Sequence, residues 1–205
     1  GYVLQTTGTG AQWVATSTLG FPAQVFAIDA YNTIKSCNST NTLNTGGQNL
    51  FFVSFSGLNN TSRAANIFMG CCAGRCNTIG SSNIFMGSCA GVSNTCGSCN
   101  VALGCRAGLS NTTACANVFI GKDAGLVTST GGNNVFVGEL VGQANISGAS
   151  NTYLGYLSGF ANSNGSCNVA IGVQAGYSGT TGTANVLIGD RAGRCNNASN
   201  NIVIG

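Results

Sequence analysis

The chain has 205 residues, of which 43% are hydrophobic and only 5% charged, with a net charge of +3, 32 Gly, one Pro, 11 Cys and no His. Its seven cationic residues are scattered singly, which excludes the Lys/Arg clusters that neutralise a nucleic-acid backbone. No apolar run approaches the roughly 20 residues that a helix needs to cross a bilayer, and Gly at regular spacing in so apolar a chain argues for order.

In chain order, residues 1–31 are expected to form an N-terminal β-hairpin or attachment segment. Two strand-like stretches, Gly1 to Gln5 and Gln12 to Ala15, flank the turn-rich run from Thr6 to Gly10. Its start at Gly1, without Met or a signal segment, is expected of a processed product. Residues 32–65 are a transition with a polar Ser/Thr/Asn run and two degenerate coils, at Asn32 and Asn49, where Lys35 and Val53 break the repeating phrase.

Residues 66–205 are a regular array. Asn66, Asn83, Asn100, Asn117, Asn134, Asn151, Asn168 and Asn185 recur every 17 positions, and each opens the phrase Asn, three apolar or near-apolar residues, Gly. A fixed period of this length marks a solenoid whose coils bury no core singly. The fold class is therefore all-β, a parallel β-solenoid (β-roll or β-helix) of 17-residue coils with a short N-terminal β segment. Counting from each Asn as position 1, positions 2 and 4 are Ile, Val, Leu or Met in nearly every coil, which predicts an inward strand face. Position 3 then points outward as a stripe of Phe68, Phe85, Phe119, Phe136, Tyr153 and Leu187. Ala-Gly at positions 8 and 9 predicts a tight turn, and a second Asn column at position 12 (Asn77, Asn94, Asn111, Asn145, Asn162) a second turn edge. Each coil is thus expected to hold two short strands, with the Asn amides stacked as ladders.

An outward apolar stripe along a rod predicts self-association, as a homotrimer or as an end-to-end filament. The final phrase stops in mid-coil at Gly205, and an open strand edge is expected to be continued or to take another subunit. Cysteine usage points to an oxidising, extracellular setting. Cys72 and Cys89 share position 7 in successive coils and are the first disulfide candidates, with Cys99 and Cys115 the second. Otherwise the cysteines read as small buried fillers. Without His, and with Asp123, Glu139 and Asp190 in separate coils, no catalytic constellation or cofactor site forms, and Cys96-Gly97-Ser98-Cys99 lacks the further ligands of a metal centre.

The phrase Asn-Val-Phe-Ile-Gly-x-x-Ala-Gly (Asn117 to Gly125), with its Asn/Thr/Ser/Gly spacers, resembles the head repeats of trimeric autotransporter adhesins and the related repeats of phage and viral tail-fibre proteins. The resemblance implies parallel β-rolls that trimerise as rigid spacers or adhesive tips on a cell or virion surface. The functional expectation is a structural extracellular fibre or adhesin module whose partner is itself, with surface glycans or a receptor as further partners and neither nucleic acid nor membrane insertion. The alternative is a single-chain surface-binding solenoid that takes glycan or ice.

Overall fold

The computed structural model describes residues 47–62 and 65–205 in full, together with the backbone of four strands ahead of them. The strands β1 (Tyr2–Thr7) and β2 (Gly10–Ala15) pair antiparallel, as the hairpin reading requires. A second sheet begins with β3 (Ala27–Ile28) antiparallel to β4 (Ile34–Lys35). From there it is wholly parallel and strictly sequential: β5 (Leu50–Phe52), β6 (Ile67–Met69), β7 (Ile84–Met86), β8 (Val101–Leu103), β9 (Val118–Ile120), β10 (Val135–Val137), β11 (Thr152–Leu154), β12 (Val169–Ile171), β13 (Val186–Ile188) and β14 (Ile202–Ile204). Each residue pairs with its equivalent in the next coil, as in Phe68 with Phe85 and Phe136 with Tyr153. The protein is a parallel β-solenoid of 17-residue coils.

Three expectations need correction. The coil at Asn49 is no degenerate transition, because β5 stacks on β6 in full register and the solenoid starts around residue 50. Val53 takes the place of the position 5 Gly by adopting φ 80 where the glycines of the other coils lie at 124 to 141. Among the described residues each coil holds one strand, not two. The far side is a chain of turns bonded coil to coil, for example Gly74 N to Ala90 O at 2.9 Å and Thr78 N to Thr95 O at 2.9 Å.

The third correction reverses inside and outside. Phe68, Phe85, Phe119, Phe136, Tyr153 and Leu187 are the core, none more than 4% exposed, and positions 2 and 4 face solvent. The cause is the Asn at position 1. Its side chain turns into the coil, and alternation along a strand then carries position 3 inward with it. The rings stack along the axis, Phe68 on Phe85 at 5.0 Å and Phe136 on Tyr153 at 4.9 Å between centroids, close to the strand spacing that generates them. Room for a ring in so thin a coil comes from position 9: a Cβ on Gly74 would lie 2.6 Å from the Phe68 ring, and one on Gly91 2.6 Å from that of Phe85.

Backbone strain recurs with the same period. Position 7 (Cys72, Asp123, Arg191 and their equivalents) and position 17 (Ser82, Cys99, Ala184 and theirs) are non-glycine residues with φ between 54 and 62. Each such residue costs about 1 kcal/mol or more, so the ladder around it must hold it in place. Where position 5 keeps the wide φ of glycine, it has no room for a side chain. Gly87 has φ +138, and a Cβ there would sit 2.4 Å from the backbone oxygen of Gly104 in the next coil. Gly87→Ala is therefore expected to lower stability by roughly 3 kcal/mol or more, read as a lower midpoint in thermal and urea denaturation.

Candidate functional site

Two Asn columns run inside the solenoid. At position 1 each side-chain Oδ1 accepts from the backbone N of the next coil's Asn, as Asn83 N to Asn66 Oδ1 at 3.0 Å and Asn134 N to Asn117 Oδ1 at 2.9 Å. The Nδ2 closes the same coil by donating to the position 15 carbonyl, as Asn66 Nδ2 to Gly80 O at 3.0 Å and Asn168 Nδ2 to Gly182 O at 2.8 Å. At position 12, Asn94 Nδ2 donates to Asn77 Oδ1 at 2.6 Å and to Gly97 O at 2.9 Å. The sequence-predicted ladder of Asn66 to Asn185 is thus a buried hydrogen-bonded spine.

Thr128 and Gly179 interrupt the second column, and each leaves an orphan. Asn111 Oδ1 and the Thr128 hydroxyl have no partner around the first gap, nor has Asn196 Nδ2 beside the second. A cavity of about 20 Å³ lies at the second gap, lined by Tyr153, Ala170, Gly179, Leu187 and Asn196 among others, where Ala170 stands in place of an aromatic ring. It is too small for an organic ligand. Thr128→Asn is expected to raise stability by about 1 kcal/mol by restoring the acceptor's partner, whereas Asn94→Ala should cost about 2 kcal/mol. Urea denaturation of the two variants checks both signs.

Among the described residues Tyr153 is the one phenol in the core, and burial pushes its pKa far above the ordinary value near 10, with a hydrogen bond to Asn168 opposing. A raised folded pKa stabilises the fold fully below the unfolded value and loses that contribution as pH rises through the folded one. The wild type should therefore lose stability above about pH 10. Tyr153→Phe should flatten that loss, measured as midpoint against pH.

On the outer surface charge is confined to one corner, while exposed apolar side chains line the sheet and also stand off it, as Ile79, Ile146 and Val173 do. Positions 2 and 4 form two apolar columns down the sheet, aliphatic except for Phe52 and broken only by Thr152, with Met86, Val135, Leu154 and Ile188 each more than a third exposed. Between residues 66 and 205 every charged side chain stands instead at positions 6, 7 or 10: Lys122, Glu139 and Asp190, then Arg106, Asp123 and Arg191, then Arg75 and Arg194. Charges there pair along the axis, Arg106 with the buried Asp123 at 2.7 Å and Lys122 with Glu139 at 3.3 Å. Asp123 holds the Arg106 guanidinium charged beyond its already high ordinary pKa. At position 10, Phe160 stacks on Tyr177 at 5.1 Å, and Arg194 lies 5.3 Å from the Tyr177 ring centroid.

The cysteines are neither core nor bonded. All ten described are free thiols, and none is buried; Cys37 lies outside the described residues. Cys72 and Cys89 do not form the expected bridge. Equivalent positions with nearly equal φ (59 and 57) carry parallel Cβ vectors about 4.8 Å apart, beyond the roughly 3.8 Å a disulfide prefers. Nor are Cys99 and Cys115 joined, because Cys115 Sγ is level with Ser98 and accepts from its backbone N at 3.2 Å. Partial desolvation, reinforced by Cys71 Sγ at 3.7 Å, raises the Cys72 thiol pKa.

Sequence reasoning missed the Thr and Ser column at position 13. Thr78, Thr95 and Thr112 spend their hydroxyls on the carbonyl of the next coil, at 3.0, 3.0 and 3.2 Å, so this column is part of the ladder. Its signal was the same 17-residue recurrence. Among the described residues no His/Cys/Asp/Glu group of three or more converges to hold a metal, and no helix is long and apolar enough to cross a membrane. No protein-family model, curated protein or solved structure matches the chain.

Proposed function

We propose that the chain is a structural module, a stiff β-solenoid that associates with copies of itself to build an extracellular or virion-surface fibre or adhesin, and does no catalysis. The observation that carries this reading is the aliphatic face of positions 2 and 4, with the charges of residues 66–205 segregated to the corner at positions 6 to 10. Stacked at about 4.8 Å per coil, ten strands present a strip roughly 45 Å long and 10 Å wide, or about 450 Å². Two such strips bury about 900 Å² together, just under the roughly 1,000 Å² that a stable specific interface clears, so a pair of rods should be a weak, concentration-dependent complex. A second copy fits the strip because its columns repeat at the same interval along the whole length, and a symmetric contact needs only one self-complementary patch. Stiffness follows from the spine, which leaves few unbonded segments to bend or to cut.

Two adjacent substitutions separate face from core. Ile120→Asp should leave the melting midpoint within a few degrees of wild type and shift light-scattering mass toward the monomer. Phe119→Asp places a charge in the stacked core and should unfold the chain. A folded Ile120→Asp with unchanged association would remove the face from the interface. A wild type that stays monomeric at every concentration would favour a single-chain surface binder, such as a glycan-binding rod.

A further inference from the structure

Free cysteine is among the most often buried residue types, yet here all ten described thiols stand at the surface. They avoid every inward position and both aliphatic columns. Cys99 and Cys167 at position 17, with Cys115 at 16, line the edge that enters the strand; Cys71, Cys105, Cys72 and Cys89 at positions 6 and 7 line the edge that leaves it. The thiols therefore flank the aliphatic face on both sides. Within one chain the stacking keeps equivalent thiols apart, as it does for Cys72 and Cys89.

We infer that these rim thiols are sites of covalent cross-linking between docked copies, Cys99 of one rod bonding to Cys89 of its neighbour. The inference rests on the self-association reading. In copies that run in the same direction about an axis parallel to the rod, the entering edge of one faces the leaving edge of the next. Cys89 leaves β7 and Cys99 enters β8, the next strand of the stack, so in such a pair they differ in height by no more than one coil rise, about 4.8 Å, inside the roughly 4.4 to 6.8 Å Cα range of a disulfide. An oxidant of the small-molecule disulfide class suffices. The Cys99 thiolate attacks it and releases one small thiol; the Cys89 thiolate of the neighbour then attacks the Cys99 sulfur of the mixed disulfide and releases the second. Two cysteine thiols lose two electrons and two protons to one small disulfide, giving one protein disulfide and two small thiols.

The test uses the full chain, reduced and then incubated with oxidised glutathione, followed by non-reducing gels and peptide mapping. Light scattering in reductant reads non-covalent association separately. Expected is a covalent dimer and higher bands that vanish in reductant, a mapped Cys99–Cys89 cross-linked peptide, and loss of that peptide and most of the dimer band in Cys89→Ser and Cys99→Ser. Both variants should keep wild-type mass by light scattering in reductant and wild-type melting. Association in reductant with only glutathione adducts or intrachain bonds on oxidation would overturn the cross-link and leave the fibre reading standing. Unchanged cross-linking in both serine variants would overturn it equally. A wild-type chain that is monomeric in reductant and on the oxidised gel would overturn both.

Discussion

Everything in this molecule depends on one bond, from the backbone N of each position 1 Asn to the Oδ1 of the Asn one coil below. A side chain that must reach a neighbour along the axis has to lie inside the coil. Once it does, strand alternation sends position 3 inward and positions 2 and 4 out. The same amide ties position 15 back to position 1, which closes the coil around its single ring. A buried amide satisfied at both ends is a register lock, because a slip by one residue would orphan every member of the column at once.

The lock explains why the coil can be so thin. A conventional solenoid core rests on opposing apolar faces, but here one position 3 side chain per coil, an aromatic ring in most of them, lies against glycine, and the remaining interior is hydrogen-bonded amide. Axial stacking of those rings at about 5 Å, in one run from Phe51 to Phe85 and a second from Phe119 to Tyr153, joins coils that have no core of their own. The gaps at Thr128 and Gly179 show how local the bonding is. Each leaves an orphan on an adjacent Asn while the strands beside it keep their register. With aromatics and amides consumed inside, the aliphatic residues are left for the outer face, and charge is left for the corner. That distribution suits lateral packing of rods, which is why a fibre or adhesin role is the reading the surface supports best.

The period, the parallel solenoid and the stacked Asn columns were legible in the sequence because each coil repeats the same phrase and a repeat averages away the idiosyncrasy of any one residue. The facing of the strand was not. Ile, Val and Met at positions 2 and 4 are the more conventional core residues, and hydropathy alone turns them inward. The contrary signal lay in position 3, where Phe alternates with Ala but never with a charged or strongly polar residue, and in the small residues at positions 8 and 9 on the far side, Val141 excepted. The cysteines misled for a different reason. Shared columns give the right Cα spacing, but parallel side-chain vectors are a property of the backbone that residue spacing does not carry.

The most direct measurement uses the only two methionines, Met69 and Met86, both at position 4. After alkylation of the thiols, dilute native protein would be exposed to hydrogen peroxide and each sulfoxide followed by mass spectrometry. An outward position 4 predicts oxidation at rates comparable to those of the denatured chain, Met86 ahead of Met69, with protection appearing only as the concentration is raised and rods dock. Strong protection of both methionines in the dilute monomer would contradict the account, because it would put position 4 in the core.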